Sequence, residues 1–244
     1  MESHRDCTRV QDAYSLRCMP QVHGSAREAI GFARGVLERE LGAVSDNPLI
    51  FPEDGAVLSG GNFHGEVLGL ALDTLALGLA QLAGISERRI DRLVNPLTNE
   101  GLPPFLARGG GVNSGYMIAQ YTAAALVAEL KTLAHPAGVD SIPTSGLQED
   151  YNAMAAGAAL KARRAVALAR QVVAIELLLA AQALDLRAPL VPGRGSRAAR
   201  DAVRRTIAPL GDDRFLKTDL DAALALAEDG SVVAAVEAAL GPLE

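Results

Sequence analysis

Residues 67–85 read VLGLALDTLALGLAQLAGI, an apolar run dominated by Leu and Ala. Both are strong helix formers, so the run predicts a long helix that is apolar on nearly all sides. Such a helix either crosses a membrane or is buried inside a large assembly. Asp73, Thr74 and Gln81 interrupt the run, and the charged segment SERRIDR follows it directly. We therefore expect a buried helix rather than a membrane span.

The same helical pattern extends over most of the chain. Hydrophobic residues make up 49% of the sequence and aromatic residues only 4%, so the apolar content is mostly Ala, Leu and Val, which favours helices. Ser25 and Glu28 form a capping box, and apolar residues then recur at helical spacing from Ile30 to Val44. The turn-rich segment FPEDGAVLSGGNF predicts a short strand or hairpin. The other predicted helices cover residues 64–92, 114–133, 150–183, 196–207, 218–226 and 231–240.

Long apolar helices joined by short connections are typical of helical bundles. We therefore predict an all-α, long-helix bundle, with a central helical region over residues 1–187 and a region of short helices over residues 188–244. These helices carry more apolar surface than one chain of this kind can bury. We expect other chains or a further polypeptide segment to cover the excess.

The net charge of −6 at pH 7 argues against general affinity for nucleic acid, which needs a basic surface. Cys7 and Cys18 are too few for a disulfide framework, and the N-terminal MESHRDCTRV lacks the apolar core of a signal peptide. These features predict a cytoplasmic protein. The residues His23, His64 and His135 do not follow a metal-ligand spacing, so we expect no metal site.

The first candidate site is the segment QDAYSLR, residues 11–17. At this spacing Tyr14 and Arg17 share one face of a helical turn. A guanidinium offers a fork for a carboxylate, and a neighbouring cation favours the anionic form of a phenol, which can then act as a base. The pair could therefore bind an acid and move a proton. The alternative is a solvated helix end.

Two further segments could contribute to a site. In SGGNFHGE, residues 59–66, the glycines allow a tight turn that would present Phe63 and His64 where a helix begins. In SIPTSGLQED, residues 141–150, Glu149 could pair with a substrate cation or tune a proton transfer. The alternatives are an ordinary helix-entry turn for the first segment and, for the second, acidic residues in the first turn of a helix.

Six segments resemble, in order, the aromatic amino acid ammonia-lyases, most closely the members that act on histidine. They are QDAYSLRCMPQVHG, SDNPLIF, LSGGNFHGE, SERRIDRLVNP, NSGYMIAQYTAAALVAELK and SIPTSGLQEDYNAM. The resemblance runs over residues 2–187 and indicates the C-terminal half of such an enzyme. It implies an all-α fold with long helices at the core of a homotetramer, and active sites that each draw on three subunits. The implied cofactor is 4-methylidene-imidazole-5-one (MIO), which the family forms from an internal Ala-Ser-Gly.

The resemblance also implies roles for five residues. Tyr14 corresponds to the catalytic tyrosine that takes part in proton removal, and Glu149 to a glutamate of the histidine lyases, where phenylalanine lyases tend to have Gln. Arg17 corresponds to the arginine that binds the substrate carboxylate. Gln11 corresponds to a glutamine that lines the same pocket, and Phe63 to a phenylalanine packed near the cofactor. A carboxylate at position 149 suits an imidazole ring better than an apolar phenyl ring.

The sequence also departs from the family pattern. It contains no Ala-Ser-Gly, and Thr144-Ser145-Gly146 corresponds to a different loop of the family. We expect the family's N-terminal half, with the cofactor loop and a second tyrosine, to be absent from this chain. His23 stands where many histidine lyases have Met, and Tyr151 stands where they often have His.

The resulting hypothesis is a partial or split ammonia-lyase subunit of histidine catabolism. It would remove ammonia from L-histidine to give urocanate, and it would be inactive alone because its sequence cannot form MIO. Its expected partners are a small amino acid and either further copies of itself or a complementary N-terminal half, with no nucleic acid and no membrane. Within the enzyme class, the alternatives are a tyrosine or phenylalanine lyase and a 2,3-aminomutase. A non-catalytic helical assembly protein is the alternative outside that class.

Overall fold

The computed structural model describes residues 7–243, and helices dominate it. The prediction of an all-α fold is confirmed. The elements are, in chain order, α1 (Tyr14–Arg17), α2 (Met19–Glu40), β1 (Leu49–Phe51), β2 (Ala56–Leu58), α3 (Glu66–Val94), α4 (Met117–Leu133), α5 (Ala155–Leu186), α6 (Arg194–Arg204), α7 (Leu216–Glu228) and α8 (Ser231–Leu240), with short 3-10 turns at Pro104–Leu106 and Ser145–Leu147.

The chain divides into two compact units, each built from segments that are distant in sequence. Unit one contains the described residues up to Pro20, Ala83–Ala128 and the chain from Leu168 onwards. Unit two contains Gln21–Leu82 and Glu129–Ala167. The predicted boundary between a central region and a C-terminal region near residue 187 stays a prediction.

Unit one is organised around the buried side chain of Gln182 on α5. Its amide nitrogen donates to the Leu210 carbonyl at 2.9 Å, and its amide oxygen accepts from the Leu210 nitrogen at 3.0 Å and from Arg204 at 3.3 Å. This polar side chain is satisfied inside an apolar core, as burial requires. The chain after α6 is therefore held against α5. Elsewhere in the unit α6 packs on α8, where a Cβ at Gly195 would lie 2.8 Å from Leu240.

Unit two contains the close packing of α2 against the first half of α3. A Cβ added at Gly78 would lie 2.6 Å from the Cβ of Ala29, so only glycine permits this approach of the two helices. Ala33, Val36 and Ala71 form a fully buried cluster beside it. Small side chains on both helices thus make the short interhelical distance possible.

The carboxylate that interrupts the apolar run of α3 has a structural explanation. Asp73 is buried, and its two oxygens accept hydrogen bonds from the backbone nitrogens of Ala137 at 3.0 Å and Gly138 at 2.7 Å. α3 and α5 are each long and apolar enough to cross a membrane, but the buried core helices of other proteins meet the same criterion of length and composition. The buried Asp73, with a hydrogen bond to each of its carboxylate oxygens, supports our expectation of a core helix.

The hairpin prediction is confirmed, whereas several predicted helix boundaries are wrong. β1 and β2 pair antiparallel, with Leu49 opposite Leu58. The helix predicted from the capping box at Ser25 begins at Met19 instead, because Pro20 fits the first turn of a helix without loss of a hydrogen bond. The Ser25 hydroxyl donates to Gln81 rather than capping.

Two other helices begin later than predicted. In one case an acidic side chain binds the backbone nitrogens before the helix, and in the other the preceding residue has a non-helical backbone conformation. The backbone nitrogens of Ser114 and Gly115 donate to the Asp213 carboxylate at 2.7 and 2.8 Å, so α4 starts only at Met117. Met154 has a φ of 52°, which is incompatible with a helix interior, so α5 starts at Ala155.

Candidate functional site

The helical turn α1 in unit one presents the first pair of candidate residues. The guanidinium carbon of Arg17 lies 4.4 Å from the centroid of the Tyr14 ring, so the two side chains share a face as their spacing predicts. Arg17 Nε donates to the backbone carbonyl of Asp12 at 3.0 Å. Both side chains are exposed, Tyr14 to 69%. The cation–π contact and the Asp12 bond together fix the guanidinium plane.

This arrangement leaves the functional atoms of both side chains available. Within the described part of the chain, neither terminal nitrogen of Arg17 donates a hydrogen bond, since Nε alone is engaged. A guanidinium held in this way can offer two parallel N–H groups to one carboxylate. Gln11 lies exposed in the segment before α1. Unit one therefore places a guanidinium that could bind an anion beside the ring of a tyrosine.

In unit two, the turn that carries Phe63 is held by two asparagines. The side-chain oxygen of Asn47 accepts from the Ser59 hydroxyl at 3.1 Å and from the Gly60 nitrogen at 3.0 Å. Asn62 donates to the Val44 carbonyl at 2.6 Å. Phe63 is 52% exposed at the end of this turn. The turn is thus a defined structure that holds an aromatic ring at the surface rather than in a core.

The loop that carries Glu149 closes on itself. The Thr144 nitrogen donates to the Glu149 carbonyl at 2.9 Å, and the Thr144 hydroxyl donates to a Glu149 side-chain oxygen at 2.7 Å. Hydrogen bonds from the Thr144 hydroxyl and then from Ser145 lower the pKa of Glu149 below its ordinary value. Stabilisation of the charged form is the physical cause. Glu149 is therefore an ionised carboxylate at neutral pH.

Asn152 and Tyr151 connect this loop to its surroundings in unit two. The Asn152 amide donates to the Ile142 carbonyl at 2.5 Å and to the Thr144 hydroxyl at 3.2 Å. The Tyr151 carbonyl lies 2.7 Å from His64 Nε2, and a carbonyl can only accept, so this nitrogen carries the proton. The two rings are stacked with centroids 6.2 Å apart. The Phe63 turn and the Glu149 loop are thereby joined.

The structure thus places the five predicted site residues in two groups. Tyr14, Arg17 and Gln11 belong to unit one, and Phe63 and Glu149 belong to unit two. Their membership of one active site stays a proposal. Sequence reasoning missed the residues that hold the second group in place, which are Asn47, Asn62 and Asn152 in unit two. The signal for them in the sequence was the occurrence of asparagine within turn-rich segments.

The part of the chain that the structure describes holds no group of three or more His, Cys, Asp and Glu side chains placed to bind a metal ion.

Comparison with known proteins identifies the family. The family model for aromatic amino acid lyases matches residues 1–205. The chain belongs to the aromatic amino acid lyase family. A histidine ammonia-lyase from Gloeobacter violaceus is 54% identical to this family member over 242 residues, which are 99% of the chain and 47% of that relative. The chain therefore spans about half the length of the curated relatives it matches.

Solved structures of lyase-family members have the same fold. A histidine ammonia-lyase from Trypanosoma cruzi superposes with a TM-score of 0.88 and is 48% identical in sequence. The match covers 93% of this chain and 45% of the Trypanosoma cruzi chain. A tyrosine aminomutase from Streptomyces globisporus superposes with a TM-score of 0.89 and is 36% identical in sequence. The match covers 99% of this chain and 47% of the aminomutase chain. The fold is shared by enzymes of different activity, so it does not by itself select a substrate.

Membership of the aromatic amino acid lyase family implies an MIO cofactor. The residues present do not supply it, because the 244-residue sequence contains no Ala-Ser-Gly. Thr144-Ser145-Gly146 is similar in sequence, but the Thr144 carbonyl accepts hydrogen bonds from Leu147 at 3.0 Å and Glu149 at 3.3 Å. The hydrogen bonds of Thr144 in this loop hold Glu149 in place.

Proposed function

We propose that this chain supplies the carboxylate-binding and proton-removing residues of an ammonia-lyase that converts L-histidine to urocanate and ammonia. The observation that carries the proposal is the Arg17 guanidinium fixed over the Tyr14 ring, with its terminal nitrogens available to a ligand. The greater identity to histidine ammonia-lyases than to the tyrosine aminomutase supports histidine as the substrate.

The reaction removes the amino group and one β-proton from the substrate. Arg17 binds the α-carboxylate through its terminal nitrogens, which places the substrate backbone beside Tyr14. Tyr14 acts as the base and its oxygen takes the β-proton, the C–H electron pair forms the new double bond, and the substrate ammonium group leaves as ammonia with the C–N electron pair. Gln11, which lies just before α1, lines the same pocket in this proposal.

We propose that the second group of residues, supplied by this or another copy of the chain in the assembled enzyme, recognises the substrate side chain. Glu149 is ionised, and an anionic carboxylate accepts hydrogen bonds from an imidazole N–H, which a phenyl ring lacks. Phe63 contributes an exposed aromatic ring that packs beside the reacting centre. Glu149 is thus the residue that favours histidine over phenylalanine as the substrate.

We also propose that activity requires a polypeptide segment other than these 244 residues. The electrophile that activates the amino group as a leaving group is formed from an Ala-Ser-Gly, which the 244 residues do not contain. The exposure of Tyr14 and Phe63 supports a site completed by other surfaces. We propose a complementary segment within a homotetramer as the source of those surfaces, in the cytoplasm. Sedimentation of the chain with and without such a segment tests the assembly.

The test of the substrate is a rate comparison in the assembled enzyme. The chain is combined with a segment that contains Ala-Ser-Gly, and the mixture is given L-histidine, L-tyrosine or L-phenylalanine. We expect urocanate from histidine at a kcat/KM far above that for the other two. Preferential formation of coumarate or cinnamate would indicate a tyrosine or phenylalanine lyase, and a β-amino acid product would indicate an aminomutase. Assembly without turnover of any substrate would favour a non-catalytic role.

A further inference from the structure

The helical turn α1 cannot hold its own conformation. It has only four residues, and its N-cap, Ala13, offers no side-chain hydrogen bond. A single turn is unfavourable in isolation because nucleation fixes several dihedral angles for one hydrogen bond. Three of its side chains are exposed, and only Ser15 is buried. Tertiary contacts must therefore fix the position of Tyr14 and Arg17.

A partly buried ion pair in unit one makes a tertiary contact with α1. Arg89 on α3 binds Glu176 on α5 through Nε and through Nη2, the latter at 2.8 Å, and its Nη1 donates to the Ser15 carbonyl at 3.4 Å. Ser86 donates to Glu176 at 2.6 Å. The side chains of Arg89 and Glu176 are only 11% and 21% exposed. Ser15 lies between Tyr14 and Arg17 in the sequence, so this bond reaches the centre of the turn.

The chemistry of the Arg89–Glu176 pair fits a role in positioning α1 better than a role in holding α3 and α5 together. Burial of two charges carries a desolvation cost that can exceed their attraction, so such a pair is a poor means of joining helices. α3 and α5 already bury large apolar side chains in unit one, including Ile90 and Leu179. A guanidinium, however, can bind a carboxylate with two nitrogens and still direct a third at a backbone carbonyl. Lysine cannot do this, because it has a single nitrogen.

We propose that Arg89, oriented by Glu176 and Ser86, is a positioning residue that fixes α1 and thereby the relative placement of Tyr14 and Arg17. Its catalytic consequence rests on the function proposed above, whereas its effect on α1 does not. Because Tyr14 and Arg17 lie on the same turn, a displacement of α1 moves the base and the carboxylate-binding group together. Loss of the Arg89 fork therefore alters kcat and KM at the same time.

The test compares Arg89→Lys with a matched control, Arg204→Lys, in the assembled enzyme. Arg204 pairs with Asp185 in the same unit, with side chains 12% and 24% exposed, and its hydrogen bonds go to Asp185, Gln182 and Ile207 rather than to α1. Pulsed hydrogen–deuterium exchange reports the backbone amides of residues 16–18, which bond to Ala13 and Tyr14. Steady-state kinetics with L-histidine report kcat and KM.

We expect Arg89→Lys to accelerate exchange at residues 16–18, to raise KM and to lower kcat by about 10- to 100-fold, as misplacement of reacting groups does. Arg204→Lys should lower the melting temperature to a similar degree but leave KM and exchange at α1 unchanged. Loss of folded protein alone reduces the number of active sites without changing KM, so the KM shift separates positioning from stability. If Arg89→Lys does not fold, Glu176→Gln is used, with the same expected changes.

Equal exchange and equal KM in the Arg89 and Arg204 variants would overturn the proposal. If exchange at α1 rises only in the Arg89 variant but the unsubstituted assembly turns over no histidine, the positioning role stands and the proposed function fails. If the assembly is active and the Arg89 variant is kinetically unchanged, the proposed function stands and the positioning role fails.

Discussion

The guanidinium carbon of Arg17 lies 4.4 Å from the centroid of the Tyr14 ring, on a helical turn where both side chains are exposed. In the proposed reaction these two residues have different tasks, one binding the substrate carboxylate and the other removing a proton. Their contact implies that the two tasks are separable by conservative substitutions that preserve either the ring or the charge.

Tyr14→Phe keeps the ring beneath Arg17 and removes the ionisable oxygen. We expect kcat of the assembled enzyme to fall by about 10²- to 10⁴-fold with a smaller change in KM, because proton transfer by a positioned group contributes that much. Steady-state kinetics with L-histidine measure the effect. A near-normal kcat while chemistry limits the rate would show that Tyr14 is not the base.

Arg17→Lys keeps the positive charge but loses the fork. We expect transition-state binding to weaken by about 1.5–3 kcal/mol, the range for hydrogen bonds to charged groups, seen mainly as a raised KM. The same kinetic assay checks it, with Arg34→Lys as the control, since among the described residues Arg34 pairs with Glu38 in an exposed position on α2. An unchanged KM for Arg17→Lys would remove Arg17 from the carboxylate site.

The Thr144 hydroxyl is the main cause of the lowered pKa of Glu149. Because the pKa of this carboxylate is lower in the folded loop than in the unfolded chain, its ionisation stabilises the folded loop at pH values above the pKa of the unfolded chain. This stabilisation is lost as the pH falls through the pKa of the folded loop. Thr144→Val should therefore raise the pKa of Glu149 towards its ordinary value, and Ser145→Ala should raise it less. Carboxyl carbon NMR titration measures both shifts.

The control for this titration is Thr132→Val, which removes a hydroxyl bonded to the Glu129 carbonyl on another part of unit two. It should leave the pKa of Glu149 unchanged. If Thr144→Val and Thr132→Val give the same titration curve, the hydrogen bond at Glu149 does not govern its ionisation.

Asp73→Ala removes the acceptor for two backbone nitrogens, those of Ala137 and Gly138. An unpaired buried donor costs about 1–3 kcal/mol, and because these two nitrogens are only partly buried we expect the free energy of unfolding to fall by about that amount in total. Urea denaturation measures it. Asp221→Ala should cost only about 0.3–0.5 kcal/mol, because Asp221 forms an exposed i,i+4 pair with Lys217. Similar losses in both variants would contradict this account of Asp73.

Hydrophobic periodicity was sufficient to predict the helices but not their first residues. The long helices follow from Ala- and Leu-rich stretches that can bury one or more faces. Their starts depend on local competition: Pro20 extends α2 beyond the capping box at Ser25, and the Asp213 carboxylate captures the nitrogens of Ser114 and Gly115 before α4. The second effect arises from a residue far along the chain, which no local pattern contains.

The candidate site was predictable where it depends on neighbours in sequence. The shared face of Tyr14 and Arg17 follows from helical spacing alone. The support from Arg89 and Glu176 joins residues 87 positions apart, and the His64–Tyr151 contact also joins residues 87 positions apart. Such pairs meet only through tertiary packing, so spacing rules cannot predict them.

The most direct measurement of the central claim is the absorbance of urocanate in three samples given L-histidine: the chain alone, a family segment containing Ala-Ser-Gly alone, and the two combined. Each protein supplies only part of the required groups, so we predict no turnover in the first two samples and sustained formation of urocanate in the third, abolished or strongly reduced by Tyr14→Phe in the chain. Turnover by the chain alone, or a combined activity that Tyr14→Phe leaves intact, would contradict the account.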